Sequence, residues 1–225
     1  ESFDTSRYSV HIGGEVKRFD GRDYVRHLDP EAMSRASRLA IAAARLAVMD
    51  ASLSVGSLMP ASIGVSMGTT SGEPLMVEYF NDLELASARA ALSGAFVAQY
   101  PAHVLAAHVA AELGCAGPNL VIPTACAAGN YAIAHAAALI RAGRADVMLA
   151  GGADAFSRIT YTGFARLGAI APERCQPFDR HRKGMVPGEG AAVLVLERRE
   201  LALARGATIH AELVGSGLTC DANHM

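Results

Sequence analysis

The sequence predicts an α/β fold built on a largely parallel sheet. Short apolar runs alternate along the chain with longer segments of helical periodicity, the order that produces a parallel sheet covered by helices. Hydrophobic residues make up 51% of the 225 residues, so the chain can bury a sizeable core. A chain of this length allows one large domain or two small ones, and no internal repeat or low-complexity linker divides it.

Helices are predicted from apolar stripes and from the residues at their ends. In residues 31–50, a stripe that includes Leu39, Leu46 and Met49 lies largely apart from the arginines. Residues 101–113 begin with a proline and are followed by a glycine, which are the residues typical of the start and the end of a helix. The predicted helices are residues 31–50, 101–113, 126–142 and 198–205.

Strands are predicted from short apolar runs bounded by turn-forming residues. The predicted strands are residues 62–67, 119–124, 146–150, 191–196 and 208–214. Residues 1–30 and 153–189 show no regular pattern. Residues 153–189 are too many for a simple connecting loop in a compact domain, so we expect a functional loop region there.

The composition excludes several classes of function. A net charge of −2, without a basic run and interleaved aromatic residues, argues against nucleic-acid binding. There is no apolar stretch of about 20 residues and the N-terminus does not resemble a signal peptide, so we expect no membrane contact and a cytoplasmic location. The four cysteines lack CxxC spacing, which argues against a metal site and favours reduced thiols.

Cys126 lies where the predicted strand 119–124 turns into the alanine-rich helix 126–142. We expect the strand to press the sulfur into the interior and the helix start to aim its free N–H groups and positive dipole end at it. Such a position stabilises a thiolate and so produces a nucleophile. An inert buried cysteine explains the same spacing equally well.

Four motifs stand in order along the chain. They are PTACAAG at 123–129, RADVMLAGGAD at 144–154, PFD at 177–179 and GMVPGEGA at 184–191. Together they resemble the β-ketoacyl-acyl-carrier-protein synthases, the condensing enzymes of fatty acid and polyketide synthesis. Segments near both ends of the chain also fit this family, so the resemblance covers essentially all of it. One motif alone would be weak evidence, but the set in this order and spacing is specific.

The resemblance implies a thiolase-like fold, of which residues 1–225 form mainly the N-terminal half, truncated at both ends. The family's nucleophilic cysteine maps onto Cys126 and takes an acyl group from the phosphopantetheine arm of an acyl-carrier protein. Malonyl-acyl-carrier protein then loses CO2, and its carbanion attacks the acyl thioester to give a 3-oxoacyl-acyl-carrier protein. The resemblance therefore implies an acyltransferase that is a homodimer, with acyl-carrier protein as its partner and no cofactor bound to the chain itself.

The same resemblance implies further site residues. The loop after the strand 62–67 lines the acyl pocket, with Thr70 and Ser71 as substrate-binding residues. Phe96 is expected to reach the partner subunit's pocket, and Glu189 to be a buried acid that orders its loop. The expected contacts with the acidic carrier protein are Arg180, Arg182 and Lys183. Each assignment competes with an ordinary turn, core or surface role.

The sequence departs from the family in two places. The family's opening strand is missing before Glu1, and its two histidines that support decarboxylation belong to segments beyond Met225. We therefore expect an internal fragment that cannot complete the condensation alone. Two alternatives stay open: a thiolase that acts on acyl-CoA, and a non-catalytic ketosynthase-like scaffold or partner subunit in which Cys126 is inert.

Overall fold

In the described part of the chain, a four-stranded sheet is covered by helices on both faces. The computed structural model describes residues 3–87 and 94–222. The strands are β1 (Ile63–Gly68), β2 (Asn119–Ile122), β3 (Val147–Asp154) and β4 (Gly190–Glu197). The helices are α1 (Arg35–Asp50), α2 (Pro74–Ser87), α3 (Gly94–Gln99), α4 (Val104–Leu113), α5 (Ala128–Arg141), α6 (Arg158–Arg166) and α7 (Arg199–Ala204). This architecture confirms the predicted α/β class.

The sheet has the strand order β2-β1-β3-β4. β1 is parallel to both neighbours, with Val65 opposite Asn119 and Ile63 opposite Val147. β4 runs antiparallel to β3. The C-terminal ends of β1, β2 and β3 therefore meet the beginning of β4 at one edge, which we call the carboxyl edge. The sheet is largely parallel, as predicted.

Strand β1 presents large side chains to one face of the sheet and small ones to the other. Val65 and Met67 belong to the main core cluster together with residues of α1 and α4. Ser66 and Gly68 alternate with them and therefore face α5. Ser66 Oγ donates a 2.9 Å hydrogen bond to the carbonyl of Ala132 on that helix. The small-residue face thus lets α5 lie close to the sheet.

Helix α5 lies on this face through a stripe of alanines. Ala128, Ala132 and Ala136 recur at helical spacing and are 2%, 0% and 0% exposed. A Cβ built on Gly68 would lie 2.3 Å from the carbonyl carbon of Ala128. No side chain fits there, so the first turn of α5 packs backbone to backbone against the end of β1.

The apolar stripe predicted for α1 is partly wrong. Leu39 is buried, but Leu46 is 51% and Met49 is 69% exposed. The fully buried face consists instead of smaller residues and one isoleucine, namely Ala36, Ser37, Ala40, Ile41 and Ala44. Alanine allows helix α1 to approach both α4 and the sheet, so close packing rather than side-chain size decides which face is buried.

Two strand predictions need correction. Residues 208–214 form no strand, because all of them are exposed and no neighbouring strand pairs with them in the described chain. β3 does not end before Gly151 but continues to Asp154, since Gly151 and Gly152 pair with β1 and β4. A Cβ built on Gly151 would lie 1.9 Å from the carbonyl oxygen of Ala192, so this glycine is required by strand pairing.

Helices α2, α3 and α6 are absent from the sequence-based prediction. α6 lies inside the stretch 153–189, which was expected to be irregular. Its N-terminus is capped by Ser157, whose Oγ accepts a 3.1 Å hydrogen bond from the N–H of Thr160. A polar cap and one short helix leave little periodicity to detect, which explains the omission. Within the described ranges, no helix is long and apolar enough to cross a bilayer.

A buried carboxylate fixes the segment before α1. Glu112 on α4 is 1% exposed, and it forms an ion pair with Arg45. Its oxygens also accept hydrogen bonds from the backbone N–H groups of Arg26, His27 and Leu28. Burial alone raises the pKa of Glu112, but these donors outweigh it and hold the pKa below the ordinary value of 4.5.

Replacing Glu112→Gln in the whole protein should lower the free energy of unfolding by about 3 kcal/mol at pH 7, because it leaves Arg45 a partly buried cation without its partner. The folded-state pKa of Glu112 is lowered, so its stabilisation is complete above the unfolded-state pKa and is lost as the pH falls through the folded-state pKa. In urea unfolding, the difference between variant and native protein should therefore shrink on acidification below about pH 4.5. The exposed Glu84→Gln is the control, and a difference that is independent of pH would contradict the prediction.

Replacing Gly68→Ala should destabilise the protein by about 2 kcal/mol, because the added methyl group overlaps the backbone of Ala128 and the helix must move. Gly190→Ala is a matched control on the same sheet, since a Cβ there meets nothing within 4 Å. Thermal unfolding of both variants tests the prediction. Equal melting temperatures would show that α5 tolerates a larger separation from β1.

Candidate active site

Cys126 lies in a single 3-10 turn, Ala125–Ala127, between β2 and α5. The preceding residue, Ala125, has a φ of 53°, in the left-handed region that costs a non-glycine residue about 1–2 kcal/mol. The N–H of Ala128 closes the turn by donating to the carbonyl of Ala125. Backbone strain of this kind persists only where the surrounding structure imposes it, and such residues cluster at functional sites.

The predicted burial of Cys126 is wrong, because the residue is exposed. β2 ends at Ile122, and the left-handed turn at Ala125 redirects the chain before α5 begins at Ala128, two residues later than predicted. Cys115, by contrast, is partly buried, and burial raises the pKa of its thiol to about 11. Exposure therefore favours Cys126 over Cys115 as a reactive thiol, although Cys175 and Cys220 are exposed as well.

Cys126 borders a cavity of about 390 Å³ at the carboxyl edge of the sheet. The cavity lies between the ends of β1 and β3, the beginning of β4 and the first turn of α5. Most of its lining residues are glycine or alanine, so backbone surrounds much of the space next to the thiol. The carboxyl edge is where open α/β sheets bind ligands, and the volume suits a small organic group.

The two predicted substrate-binding residues of the loop after β1 have different surroundings. Thr70 lines the cavity that Cys126 borders. Ser71 is not among the lining residues, and its Oγ lies 3.2 Å from Thr160 Oγ1 on α6. The structure therefore places Thr70 beside the thiol, whereas Ser71 connects the loop to α6.

Phe96 lies on α3, outside the lining of the cavity. Its ring centroid is 4.6 Å from that of Phe80 and 5.0 Å from that of Tyr100. Phe96 thus belongs to an aromatic cluster between α2 and α3. Its predicted contact with a partner subunit stays a prediction.

The predicted carrier-protein contacts lie in the loop between α6 and β4. All three cations, Arg180, Arg182 and Lys183, are exposed. The Arg182 guanidinium donates a 3.1 Å hydrogen bond to the carbonyl of Asp179, which anchors one of them to the loop. Phe178 beside them is fully exposed and has a φ of 63°. The loop therefore presents cations and an aromatic ring to solvent, and its carrier-binding role stays a prediction.

Glu189 has the contacts expected of a structural acid. Its side chain is 2% exposed, and Arg35 donates to both of its oxygens at 2.8 and 2.7 Å. The N–H groups of Val16 and Phe156 also donate to it, at 2.9 and 3.1 Å. Burial alone raises the pKa of Glu189, but Arg35 and the N–H groups hold it below its usual value. Glu189 thereby joins α1, the N-terminal segment and the chain after β3.

The sequence-based prediction included Thr69 only as part of the pocket-lining loop and assigned no role to Asp154, although both residues line the cavity. Asp154 is the last residue of β3, and Thr69 directly follows β1. Polar residues at the carboxyl ends of two buried parallel strands meet at one edge, which is the pattern that indicates them. The pattern was hidden because β3 was predicted to end before Gly151.

The chain matches the family described as beta-ketoacyl synthase, N-terminal domain, over residues 2–202. It is 36% identical over 230 residues to 3-oxoacyl-acyl-carrier-protein synthase 2 of Synechocystis sp., covering 99% of this chain and 55% of that protein. It is 37% identical over 228 residues to the protein of the same name in Staphylococcus aureus, covering 99% of this chain and 57% of that protein. The chain thus spans about half the length of the curated relatives it matches.

Solved structures show the same relationship. The ishigamide ketosynthase/chain length factor matches with a TM-score of 0.94 and 40% identity, over 100% of this chain and 56% of that chain. A beta-ketoacyl synthase from Burkholderia phymatum matches with a TM-score of 0.85 and 33% identity, over 97% of this chain and 55% of that chain. A type II PKS ketosynthase in complex with its acyl-carrier protein matches with a TM-score of 0.77 and 25% identity, over 92% of this chain and 53% of that chain. The chain has the thiolase-like fold of the ketosynthases and belongs to the beta-ketoacyl synthase family, through that family's N-terminal domain.

Proposed function

We propose that the protein containing this chain is a 3-oxoacyl-acyl-carrier-protein synthase, an acyltransferase of fatty acid or polyketide synthesis. The observation that carries the proposal is an exposed Cys126 at a strained turn, bordering a cavity at the carboxyl edge. The family membership supports it, since two relatives with this name are 36% and 37% identical to the chain.

The proposed reaction begins with acyl transfer. The thiolate of Cys126 attacks the carbonyl carbon of an acyl thioester on the carrier's phosphopantetheine. A new C–S bond forms to Cys126, the C–S bond to the carrier breaks, and the departing carrier thiolate takes up the proton that Cys126 gave up. A thiolate suits this step because it is both a good nucleophile and a good leaving group. Backbone N–H groups of the turn, including that of Cys126, are the proposed donors to the oxyanion of the tetrahedral intermediate.

In the second step, malonyl-acyl-carrier protein loses CO2, and the resulting carbanion attacks the acyl carbon on Cys126. The C–S bond breaks, and the product is a 3-oxoacyl chain two carbons longer than the acyl group. No histidine is among the described residues that line the cavity. By resemblance to the family, the histidines that support decarboxylation are proposed to lie outside residues 1–225.

The proposed partners are an acyl-carrier protein and a second copy of the same protein. A ketosynthase of similar fold was solved with its acyl-carrier protein, which supports the first assignment. The exposed cations of the loop between α6 and β4 suit an acidic protein surface. Phosphopantetheine arrives on the carrier in this scheme, so the chain itself holds no cofactor.

Replacing Cys126→Ala in the whole protein should lower formation of the acyl-enzyme by about 10³-fold or more, because no other group replaces the nucleophile. Intact-mass spectrometry after incubation with an acyl-acyl-carrier protein measures the acyl adduct. Cys175→Ala, which removes another exposed cysteine, is the matched control and should retain the adduct.

Iodoacetamide labelling and the choice of acyl donor separate the alternatives. Selective alkylation of Cys126 over Cys115, Cys175 and Cys220 supports the proposed nucleophile. Equal or absent labelling of Cys126 would favour a non-catalytic scaffold or partner subunit. Acylation from acyl-CoA, without any from acyl-acyl-carrier protein, would favour a thiolase.

Reversing two charges of the basic loop, Arg182→Glu with Lys183→Glu, should raise the KM for acyl-acyl-carrier protein about tenfold at low ionic strength. The effect should shrink as salt is added, because salt screens exposed charges. Steady-state acyl transfer at two salt concentrations measures it.

Two controls isolate docking from chemistry. Acyl-pantetheine lacks the carrier's acidic surface, so its rate should not change in the double variant. Arg144→Glu, an exposed cation that precedes β3 at the opposite edge of the sheet, should not change the KM for the carrier. An unchanged KM in the double variant would assign carrier binding to another surface.

A further inference from the structure

We propose that Asp154 is a positioning residue that holds residues 69–71 against the cavity of Cys126 and thereby determines which acyl groups reach the thiol. The acyl-transfer part of this inference rests on the proposed function. The hydrogen-bonding part rests on geometry alone.

The Asp154 carboxylate accepts hydrogen bonds from three consecutive residues of the loop after β1. Oδ1 accepts from Thr69 Oγ1 at 2.9 Å, from the N–H of Thr70 at 2.8 Å and from the N–H of Ser71 at 3.2 Å. Oδ2 lies 3.1 Å from the same N–H of Thr70. Hydrogen bonds to an ionised acceptor are roughly twice as strong as neutral ones, so one side chain determines the path of the loop.

The rest of the loop is held by groups other than Asp154. Thr69 Oγ1 accepts a 2.9 Å hydrogen bond from the N–H of Gly72, which closes the turn. Glu73 is 1% exposed and accepts from the N–H and Oγ of Ser37 on α1, at 2.8 and 2.5 Å. Loss of the Asp154 carboxylate should therefore loosen residues 69–71, of which Ser71 keeps its contact with Thr160, without detaching the loop from α1.

The strand pairing makes Asp154 a rigid support. β1 and β3 are in register with Gly68 opposite Gly152, so the loop begins beside the last residues of β3. Asp154 itself pairs with Gly190 at the beginning of β4. Strand pairing fixes the backbone of Asp154, so its carboxylate can position the neighbouring loop accurately.

The hydrogen bonds of Asp154 matter for acylation because the loop that they hold forms part of the cavity wall beside Cys126. The lining of the cavity is mostly glycine and alanine, and the polar side chains on it are those of Thr69, Thr70, Cys126 and Asp154. Three of these four therefore belong to one hydrogen-bonded unit beside the thiol. If that unit moves, the wall facing an acyl chain changes shape while the turn of Cys126 keeps its own contacts.

Acylation of Cys126 in the whole protein tests the inference, with butyryl-, octanoyl- and dodecanoyl-pantetheine as probes and intact-mass detection. In Asp154→Ala, the ratio of octanoyl to butyryl rates should change about tenfold, because hydrogen bonds to a charged acceptor are lost. Alkylation of Cys126 by iodoacetamide should stay near the native rate. Asp154→Asn, which keeps an Oδ1 acceptor, should restore most of the native ratio.

Asp146→Ala is the matched control, since Asp146 lies at the other end of β3 and pairs with Arg198 instead of the loop. This variant should keep the native ratio. An unchanged ratio in Asp154→Ala with normal alkylation overturns the positioning role and leaves the proposed function intact. A parallel fall of all acylation and alkylation rates also overturns it, because it indicates a general structural role.

Hydrogen exchange supplies a second readout that needs no substrate. The exposed residues Thr70 and Ser71 should show protected amides in the native protein, and that protection should be lost in Asp154→Ala and largely kept in Asp154→Asn. Fast exchange in the native protein overturns the inference, even where Asp154→Ala fails to fold. In a further outcome, the amides of the native protein are protected but no probe acylates Cys126. That result would overturn the proposed function and the role of Asp154 in specificity, and would leave only its hydrogen bonds to the loop.

Discussion

The contact on which most of the site depends is the backbone packing of the first turn of α5 against the ends of β1 and β3. A Cβ on Gly68 would lie 2.3 Å from the Ala128 carbonyl carbon, and one on Gly152 would lie 3.6 Å from the Gly129 Cα on α5. The turn of Cys126 is continuous with α5, so this packing also sets the position of the thiol. Glycine and alanine are required here because the space between the backbones holds no larger side chain.

Buried or partly buried carboxylates hold the irregular segments on this rigid frame. Glu112 accepts the N–H groups of residues 26–28, Glu189 those of Val16 and Phe156, and Asp154 those of Thr70 and Ser71. Loops have backbone N–H groups that a sheet or helix would otherwise satisfy, and one carboxylate can accept several of them. Glu73 differs, since burial raises its pKa, and its donors come from Ser37 on helix α1.

The elements that could be predicted are those with a local pattern. Strand β1 and helices α4 and α5 lie within about two or three residues of their predicted bounds, because apolar runs and glycine stops are local features. The exposed faces of α1 and the missing strand at 208–214 could not be predicted in this way. The exposure of a helix face and the formation of a strand both depend on which other element packs beside the segment. The periodicity of the segment itself does not contain that information.

The sequence by itself determined the α/β class, the family and the position of Cys126 at a strand-to-helix turn, since these depend on residue order and spacing. Only the tertiary structure decided that Cys126 is exposed, that Thr70 rather than Ser71 lines its cavity, and that Asp154 accepts a hydrogen bond from the N–H of Thr70. Thr70 and Asp154 are brought together by the parallel pairing of β1 with β3. Such a contact arises from the alignment of strands distant in sequence, which no local pattern of residues records.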